Sequence, residues 1–353
     1  MLDQVLTAYG FNEDIRVTPH GSGLINRTWL VSSQRGDFIL QQINQDVFSQ
    51  PYFITENIDK VSSYLSLHYP KTVFPRPVAT TKGEQMVEVG GACFRLYPFI
   101  ANSVTIDVAD TPSQAFEAAR QFGGFTRMLS GFPAGKLHET LPGFHDLSRR
   151  YRDFREALHN GNPRRLRKAG NLIGYLQTQK GLVTEYERIC ADPAFRIRVT
   201  HHDTKISNVL FDTTGKGICV IDLDTMMPGY FISDVGDMLR TYLSPVSEEE
   251  KDLTLITVRE SYFQAIVEGY LQEMKDELTE QEKEAFVYSG SFMMYMQALR
   301  FLTDYLNDDV YYGSKYEDHN YIRGLNQATL LERYQDKMAL LKNITRKVAM
   351  VRV

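Results

Sequence analysis

The order of apolar and polar positions divides this chain into two unequal parts. Within the first hundred residues, stretches 27–32, 38–43, 85–89 and 92–97 are rich in β-branched and aromatic side chains. They are bounded by Arg35-Gly36-Asp37, Lys82-Gly83-Glu84 and Gly90-Gly91, which is the pattern of short strands joined by turns. Between them, residues 53–69 carry Ile54, Ile58, Val61, Leu65 and His68 at helical spacing, and Pro70, Pro75 and Pro77 close that helix. From about Thr111 the period becomes helical over residues 115–130, 147–159, 166–188, 248–272, 280–306 and 325–341, broken by a hairpin-like stretch around 196–224. These elements predict an α+β, bilobed fold: a small antiparallel-sheet lobe over residues 1–97, then a larger, mainly helical lobe over 98–353. Arg95-Leu96-Tyr97-Pro98-Phe99 would connect them.

Composition narrows the class of protein. At 353 residues the chain can bury a large core or two. Its net charge of −5 gives no electrostatic reason to expect nucleic acid. No apolar run nears the roughly twenty residues a membrane span requires, and Met1-Leu2-Asp3-Gln4 lacks the regions of a secretory leader. Three cysteines, Cys93, Cys190 and Cys219, suit small buried hydrophobes in a reducing compartment, so the expected location is the cytoplasm.

The chemistry concentrates in His201-His202-Asp203-Thr204-Lys205-Ile206-Ser207-Asn208, followed by an apolar run ending at Asp222. Mg²⁺-assisted phosphoryl transfer needs a carboxylate to take a hydroxyl proton, an amide and a carboxylate to hold metal, and a cation to offset charge on the moving group. Asp203, Asn208, Asp222 and Lys205 supply those types in order. Residues 208–212 and 218–222 flank Thr213-Thr214-Gly215-Lys216-Gly217, a hairpin signature. With Gly215 at the tip, 212 pairs with 218, 210 with 220 and 208 with 222. Directly opposed side chains lie ~5 Å apart at Cβ, so Asn208 and Asp222 are expected to converge on one ion. Asp203 would meet the substrate hydroxyl from the preceding loop. One of His201 and His202 is expected to be a packed anchor of that loop.

His201 to Asn208 together with Asp222 resembles the catalytic core of the aminoglycoside phosphotransferase and choline kinase group, which is similar in fold to protein kinases. The resemblance implies ATP and Mg²⁺ as cofactors, Asp203 as base, Asn208 and Asp222 as metal ligands and Lys205 as the cation beside the γ-phosphate. It implies that Asp234 braces the catalytic loop; a helix N-cap is the plainer role for that residue. Gly21-Ser22-Gly23-Leu24-Ile25-Asn26 resembles the loop over the nucleotide phosphates, and Arg95 to Phe99, including Tyr97 and Phe99, resembles the hinge that would hydrogen-bond adenine. The chain departs from the group at Gln41 or Gln42, where most relatives carry the lysine that contacts the α- and β-phosphates. Glu56 is the candidate for that lysine's usual carboxylate partner.

Little chain separates Asp222 from Asp234, which leaves no room for a long peptide-docking segment and implies a small-molecule acceptor. Arg300 and Asp304 stand one helical turn apart near aromatic residues, a combination that suits a sugar; the plainer reading is a surface ion pair beside a core stripe of Phe292, Met293, Met296, Phe301 and Leu302. Ile221-Asp222-Leu223-Asp224-Thr225-Met226-Met227-Pro228-Gly229 with residues 299–306 resembles the N-acetylhexosamine 1-kinases. That implies an amino sugar as substrate, contacted by Asp224, Arg300 and Tyr311, and a protein acting as monomer or homodimer without nucleic-acid or membrane partners. Two alternatives stand beside it. One is an aminoglycoside or other amino-alcohol phosphotransferase, for which Glu248-Glu249-Glu250 and Asp308-Asp309 could supply an acidic pocket. The other is a catalytically silent nucleotide-binding regulatory protein, suggested by the missing lysine.

Overall fold

A computed structural model describes residues 1–12, 15–21 and 25–350. In chain order the elements are α1 (Leu2–Ala8), β1 (Arg16–Pro19), β2 (Arg27–Ser33), β3 (Gly36–Gln42), α2 (Pro51–His68), β4 (Val87–Val89) and β5 (Ala92–Pro98). There follow α3 (Pro112–Met128), α4 (Leu147–Asn160), α5 (Pro163–Lys168), α6 (Gly170–Thr178), α7 (Gly181–Ala191), β6 (Arg198–Thr200), β7 (Val209–Phe211) and β8 (Gly217–Val220). The chain ends with α8 (Phe231–Tyr242), α9 (Glu260–Met274), α10 (Glu280–Glu284), α11 (Phe286–Leu306), α12 (His319–Asp336) and α13 (Met338–Met350). This is the expected α+β class, with a small antiparallel sheet early in the chain and a larger helical part after it. No helix among the described residues is long and apolar enough to cross a membrane.

Two compact units are present, and their division is not a single cut after residue 97. The first comprises residues 1–105, 128–142 and 208–228; the second comprises 106–127, 143–207 and 229–353. The hairpin that carries Asn208 and Asp222 therefore belongs with the sheet, because Val104 and Phe211 exchange two main-chain hydrogen bonds of 2.8 and 2.9 Å.

In the first unit the strands run antiparallel in the order β1-β2-β3-β5-β4. Alternation sorts their two faces. Val31, Leu40, Phe94 and Leu96 turn one way and pack with Val5, Leu6 and Tyr9 of the α1 segment. Gln41 and Arg95, directly opposed in the β3–β5 register, turn the other way. Neither α1 nor β1 was expected. Four residues make β1, too few to declare a period, and α1 reads as a helix only through its burial against the sheet.

The second unit is built around α11, whose Phe292, Met293, Met296, Phe301 and Leu302 are at most 1% exposed. The core stripe is as expected. Gly236 of α8 allows close approach to α11, since a Cβ there would run into the carbonyl oxygen of Ser289. Helix α8 is buried on nearly every face, Asp234, Asp237 and Arg240 included, although Phe231, Ile232, Val235, Met238, Leu239 and Tyr242 recur at the helical spacing that marks it in the sequence. The helix expected over 166–188 is three, α5 to α7. The one expected from 248 begins only at Glu260, because the acidic run before it serves other partners.

Candidate active site

The catalytic loop lies in the helical unit and is shaped from beneath by carboxylates that collect its backbone N–H groups. Asp234, fully buried, accepts from the main-chain N–H of His201 at 2.9 Å and of His202 at 2.7 Å, one on each oxygen. Asp237 accepts from the N–H of Thr204 at 2.8 Å and, on its other oxygen, from Arg240. The Thr204 hydroxyl donates to the Asp234 carbonyl, and Tyr242 donates to the Thr204 carbonyl. Asp234 lies within α8, whose N-cap is Tyr230, so it is a loop brace and not a cap. Burial pushes its carboxyl up to about 6, against the two N–H donors that favour the ionised form.

Both histidines are packed anchors. The His201 ring meets Phe122 at 5.2 Å and Phe125 at 6.3 Å, edge to face. His202 takes a φ of 66°, a strained value for a side-chain-bearing residue. It lies 5.2 Å from the ring of His145. That brace and these turns leave Asp203 partly exposed, where Lys205 Nζ lies 2.9 Å from its Oδ1. Asp203 beside it holds the Lys205 ammonium well above its usual range, so the cation stays charged.

The hairpin that carries Asn208 and Asp222 departs from its expected register by one residue. Val209 pairs with Val220, Leu210 with Cys219 and Phe211 with Gly217, with an irregularity after Leu210. Asn208 therefore stands across from Ile221, whose N–H donates to the Asn208 carbonyl at 2.9 Å. A one-residue slip reverses the side-chain face in a regular ladder, so simple opposition does not bring Asn208 and Asp222 together. Asp222 takes a left-handed conformation (φ 58°, ψ 60°) at the end of β8, and Asn208 closes a 3-10 turn from Ile206. An amide oxygen and a carboxylate are hard donors, and they fit an ion such as Mg²⁺ that fills most of its shell with water and nucleotide phosphate. The described residues contain no cluster of three His, Cys, Asp or Glu that could form an all-protein cage.

Beyond Asp222 the segment is gripped by donors. Arg95, 1% exposed, places Nη2 2.6 Å from Asp224 Oδ1. Asn26 donates to Asp224 Oδ2 at 2.7 Å, and Thr140 donates its hydroxyl to the Asp224 carbonyl at 2.6 Å. Asn57 of α2 donates to the Met226 and His138 carbonyls and accepts from the His138 N–H. Asn57 and Thr140 carry no sequence motif, and Arg95 enters the sequence reading only as the first residue of the hinge. Only the burial of three polar side chains reveals them.

Several expected site residues sit elsewhere in the chemistry. Ser22 and Gly23 lie outside the described residues; Gly21 is exposed with φ 78°. Gln41 accepts from Arg95 Nε at 3.1 Å and Nη2 at 2.9 Å. Glu56 pairs with His138 at 2.7 Å. Of the hinge groups, the Phe99 N–H already donates to Asp37, which removes it as an adenine donor, and Tyr97 stacks near the Arg95 guanidinium at 5.3 Å. Asp224 is enclosed in its ion pair, so the sugar contact expected of it fails on access. Asp304 is buried and accepts from the N–H groups of Tyr311 and Tyr312 at 2.7 and 2.9 Å and from Asn320 at 3.1 Å, so its carboxylate is largely occupied by the chain itself. The Arg300–Asp304 surface ion pair fails for the same reason. Arg300 donates to Gln297 instead and lies 5.0 to 5.9 Å from the rings of Phe144, Tyr312 and Tyr311. Arg300, Tyr311 and Tyr312 line a cavity of about 380 Å³ together with Arg150, Asp153, Glu156 and Asp304.

The acidic run after α8 is neutralised. Glu248 pairs with Arg240 at 2.7 Å and with Arg323. Burial would raise its carboxyl, but the two guanidiniums outweigh that and hold it down at about 2. Glu249 pairs with His319.

Comparison with solved structures places this arrangement among known folds. A microcompartment-associated aminopropanol kinase aligns with a TM-score of 0.68 at 16% identity, over 97% of this chain and 98% of the other. A spectinomycin phosphotransferase in complex with ADP and spectinomycin aligns at 0.60 and 12% identity, over 94% and 97%. An ethanolamine kinase of Plasmodium vivax aligns at 0.60 and 15% identity, over 95% and 89%. These likenesses establish a shared kinase-like fold. The sequence profile of the phosphotransferase enzyme family matches residues 16–275, most of both the sheet unit and the catalytic loop, and the chain belongs to that family.

Proposed function

We propose that the chain is an ATP- and Mg²⁺-dependent kinase of a small sugar, transferring phosphate to the anomeric hydroxyl of an N-acetylhexosamine such as GlcNAc or GalNAc. The cavity beside Arg300 carries this reading. Its volume of about 380 Å³ suits a monosaccharide, within the usual range for small-ligand pockets. Its lining includes Arg300, which is 8% exposed, and Tyr311 and Tyr312, with the Phe144 ring 5.0 Å from the Arg300 guanidinium. Guanidinium donors read hydroxyl and acetamide oxygens, and ring faces cover the apolar face of a pyranose. Arg150 adds a second guanidinium, and Arg300 together with burial depresses its pKa to about 10. An ammonium-bearing acceptor would meet both cations. Glu248 and Glu249 cannot offset them, being committed to Arg240, Arg323 and His319.

Asp203 accepts the acceptor's hydroxyl proton as the oxygen attacks. Lys205, charged throughout, leaves Asp203 to offset charge on the transferred group. Asn208 and Asp222 would hold Mg²⁺, which supplies neutralisation of phosphate charge when bound. ADP in a relative of the same fold supports nucleotide use.

A second reading, an amino-alcohol or aminoglycoside kinase, is favoured by the acceptors of the relatives and by Asp153 and Glu156 at the more exposed side of the cavity. A nucleotide-consumption screen over N-acetylhexosamines, neutral hexoses, ethanolamine, choline and aminoglycosides separates the two. Acid-labile product phosphate from GlcNAc or GalNAc supports the proposal. Turnover confined to amino alcohols or aminoglycosides overturns it.

A further inference from the structure

We infer that Arg95, on β5, takes over the work of the lysine missing from β3, acting as a positioning residue that fixes Asp222 through Asp224. The inference rests on the proposed use of Mg²⁺ and nucleotide but not on the identity of the acceptor.

Gln41 is, with Gln42, one of the two strand positions where a cation is expected, and Arg95 stands directly opposite it, so both side chains leave the sheet on one face. The guanidinium uses Nε and Nη2 to hold the Gln41 amide oxygen. Gln41 thus serves as the acceptor that orients the arginine. Nη2 also faces Asp224, two residues beyond Asp222. Between them the backbone makes a 3-10 turn whose first residue follows the left-handed Asp222. A left-handed residue is not self-enforcing for a side chain with a Cβ. Fixing the next turn from both ends supplies the constraint, with Arg95 and Asn26 on the Asp224 carboxylate and Asn57 on the Met226 carbonyl.

Two further observations separate this from an ordinary core ion pair. Nη1 of Arg95 is buried and lacks a hydrogen-bond partner among the described residues, a donor left over where an anionic oxygen could be received. Glu56 of α2, the expected carboxylate partner of a strand lysine, is turned to His138, while its neighbour Asn57 ties α2 to the Met226 carbonyl. The usual lysine–carboxylate link between sheet and helix is replaced by two separate ties, both ending on residues 224–226. The cation moved strands, and its target moved with it.

Calorimetric binding of a non-hydrolysable ATP analogue, with and without Mg²⁺, tests this without any acceptor. Arg95→Gln should weaken Mg²⁺-dependent nucleotide binding at least tenfold while leaving metal-free binding within twofold. Because that variant strands a buried carboxylate and could fail to fold, Arg95→Gln with Asp224→Asn removes both charges. The pair should melt near the parent temperature and still lose the Mg²⁺-dependent gain. Arg95→Gln with Gln41→Lys, which returns the cation to β3, should recover most of it. A well-folded Arg95→Gln/Asp224→Asn protein that binds Mg²⁺-nucleotide as the parent does overturns the inference and leaves Arg95 a structural residue. Parent protein that binds no Mg²⁺-nucleotide overturns instead the reading beneath it.

Discussion

Residues 201–207 and 222–227 are both irregular, both buried in part and both expected to carry chemistry, yet they are held by opposite means. The catalytic loop is shaped by acceptors: Asp234 and Asp237 receive the N–H groups of His201, His202 and Thr204. The segment after Asp222 is shaped by donors: Arg95, Asn26, Thr140 and Asn57 grip one carboxylate and two carbonyls. An acceptor brace fixes backbone direction but stores negative charge, and at Asp234 burial outweighs the N–H donors and His201 beside it, so its pKa rises. A donor clamp neutralises as it holds. Burial would lower the Arg95 pKa and the neighbouring Asp224 raises it, with the net effect upward, so that clamp stays charged at any physiological pH. The first region should fail by protonation and the second only by mutation.

The largest effect comes where the brace delivers its product, a correctly placed Asp203. Asp203→Asn should lower kcat by about 10²–10⁴-fold, the usual span for a lost general base, with nucleotide affinity and melting temperature unchanged. Lost nucleotide binding, or a large drop in stability, would return Asp203 to a structural role. Next in size is the brace itself. Asp234→Ala orphans two buried N–H groups, each costing about 1–3 kcal/mol. Thermal unfolding should detect that loss, and kcat should fall with it. A variant with normal stability and normal kcat would break the comparison at its first term.

How much of this was legible beforehand differs between the two regions as well. Asp203, Lys205, Asn208 and Asp222 stand out in the sequence as candidates because phosphoryl transfer restricts both residue type and spacing. The sheet and the α11 core were legible from periodicity. The hairpin register was not: Gly215 at the tip suggested a symmetric pairing, and a one-residue irregularity after Leu210 shifted it. The clamp was invisible for a deeper reason. Asn57 and Thr140 lie in otherwise unremarkable helix and loop sequence, Arg95 stands out only as the start of the hinge, and the meaning of all three depends on pairings 84 to 169 residues away along the chain. Helix α8, by contrast, carries a legible apolar stripe of Phe231, Ile232, Val235, Met238 and Leu239, and its polar residues are buried as well.

The acid response sharpens the contrast further, and its sign can be worked out. The Asp234 carboxyl sits at about 6 in the folded chain, above the ordinary carboxylate value of roughly 4. Between those values the native state binds the proton that the unfolded chain releases, so this group's contribution to stability is greatest in acid and is lost as pH rises through about 6. Its bracing role runs the other way, because only the ionised carboxylate accepts both N–H groups. Turnover should therefore climb with pH through a midpoint near 6 over the same interval in which Asp234 gives up stability. Measuring kcat and melting temperature across pH 4.5 to 8 checks both slopes. A kcat profile that stays flat through 6 would show that the brace tolerates its proton.

The smallest effect is expected at the edge of the donor clamp. Thr140→Val keeps the shape of the side chain and removes one O–H donor from the Asp224 carbonyl, a bond of 2.6 Å at a site 6% exposed. A neutral hydrogen bond of this kind is worth about 1 kcal/mol net, and the carbonyl left behind loses part of its solvation as well. For a chain of this size that amounts to roughly 1–3 °C in Tm. Arg95 and Asn26 still hold the Asp224 side chain, so Asp222 should keep its place and the Mg²⁺ dependence of nucleotide binding should not move. The melting shift without a binding shift would show that the clamp's grip on the carboxylate, rather than on the backbone, is what governs Asp222. A shift in Mg²⁺ dependence as large as that of Arg95→Gln would instead place that control in the main chain, and the donor clamp would then be a backbone device like the brace it is contrasted with.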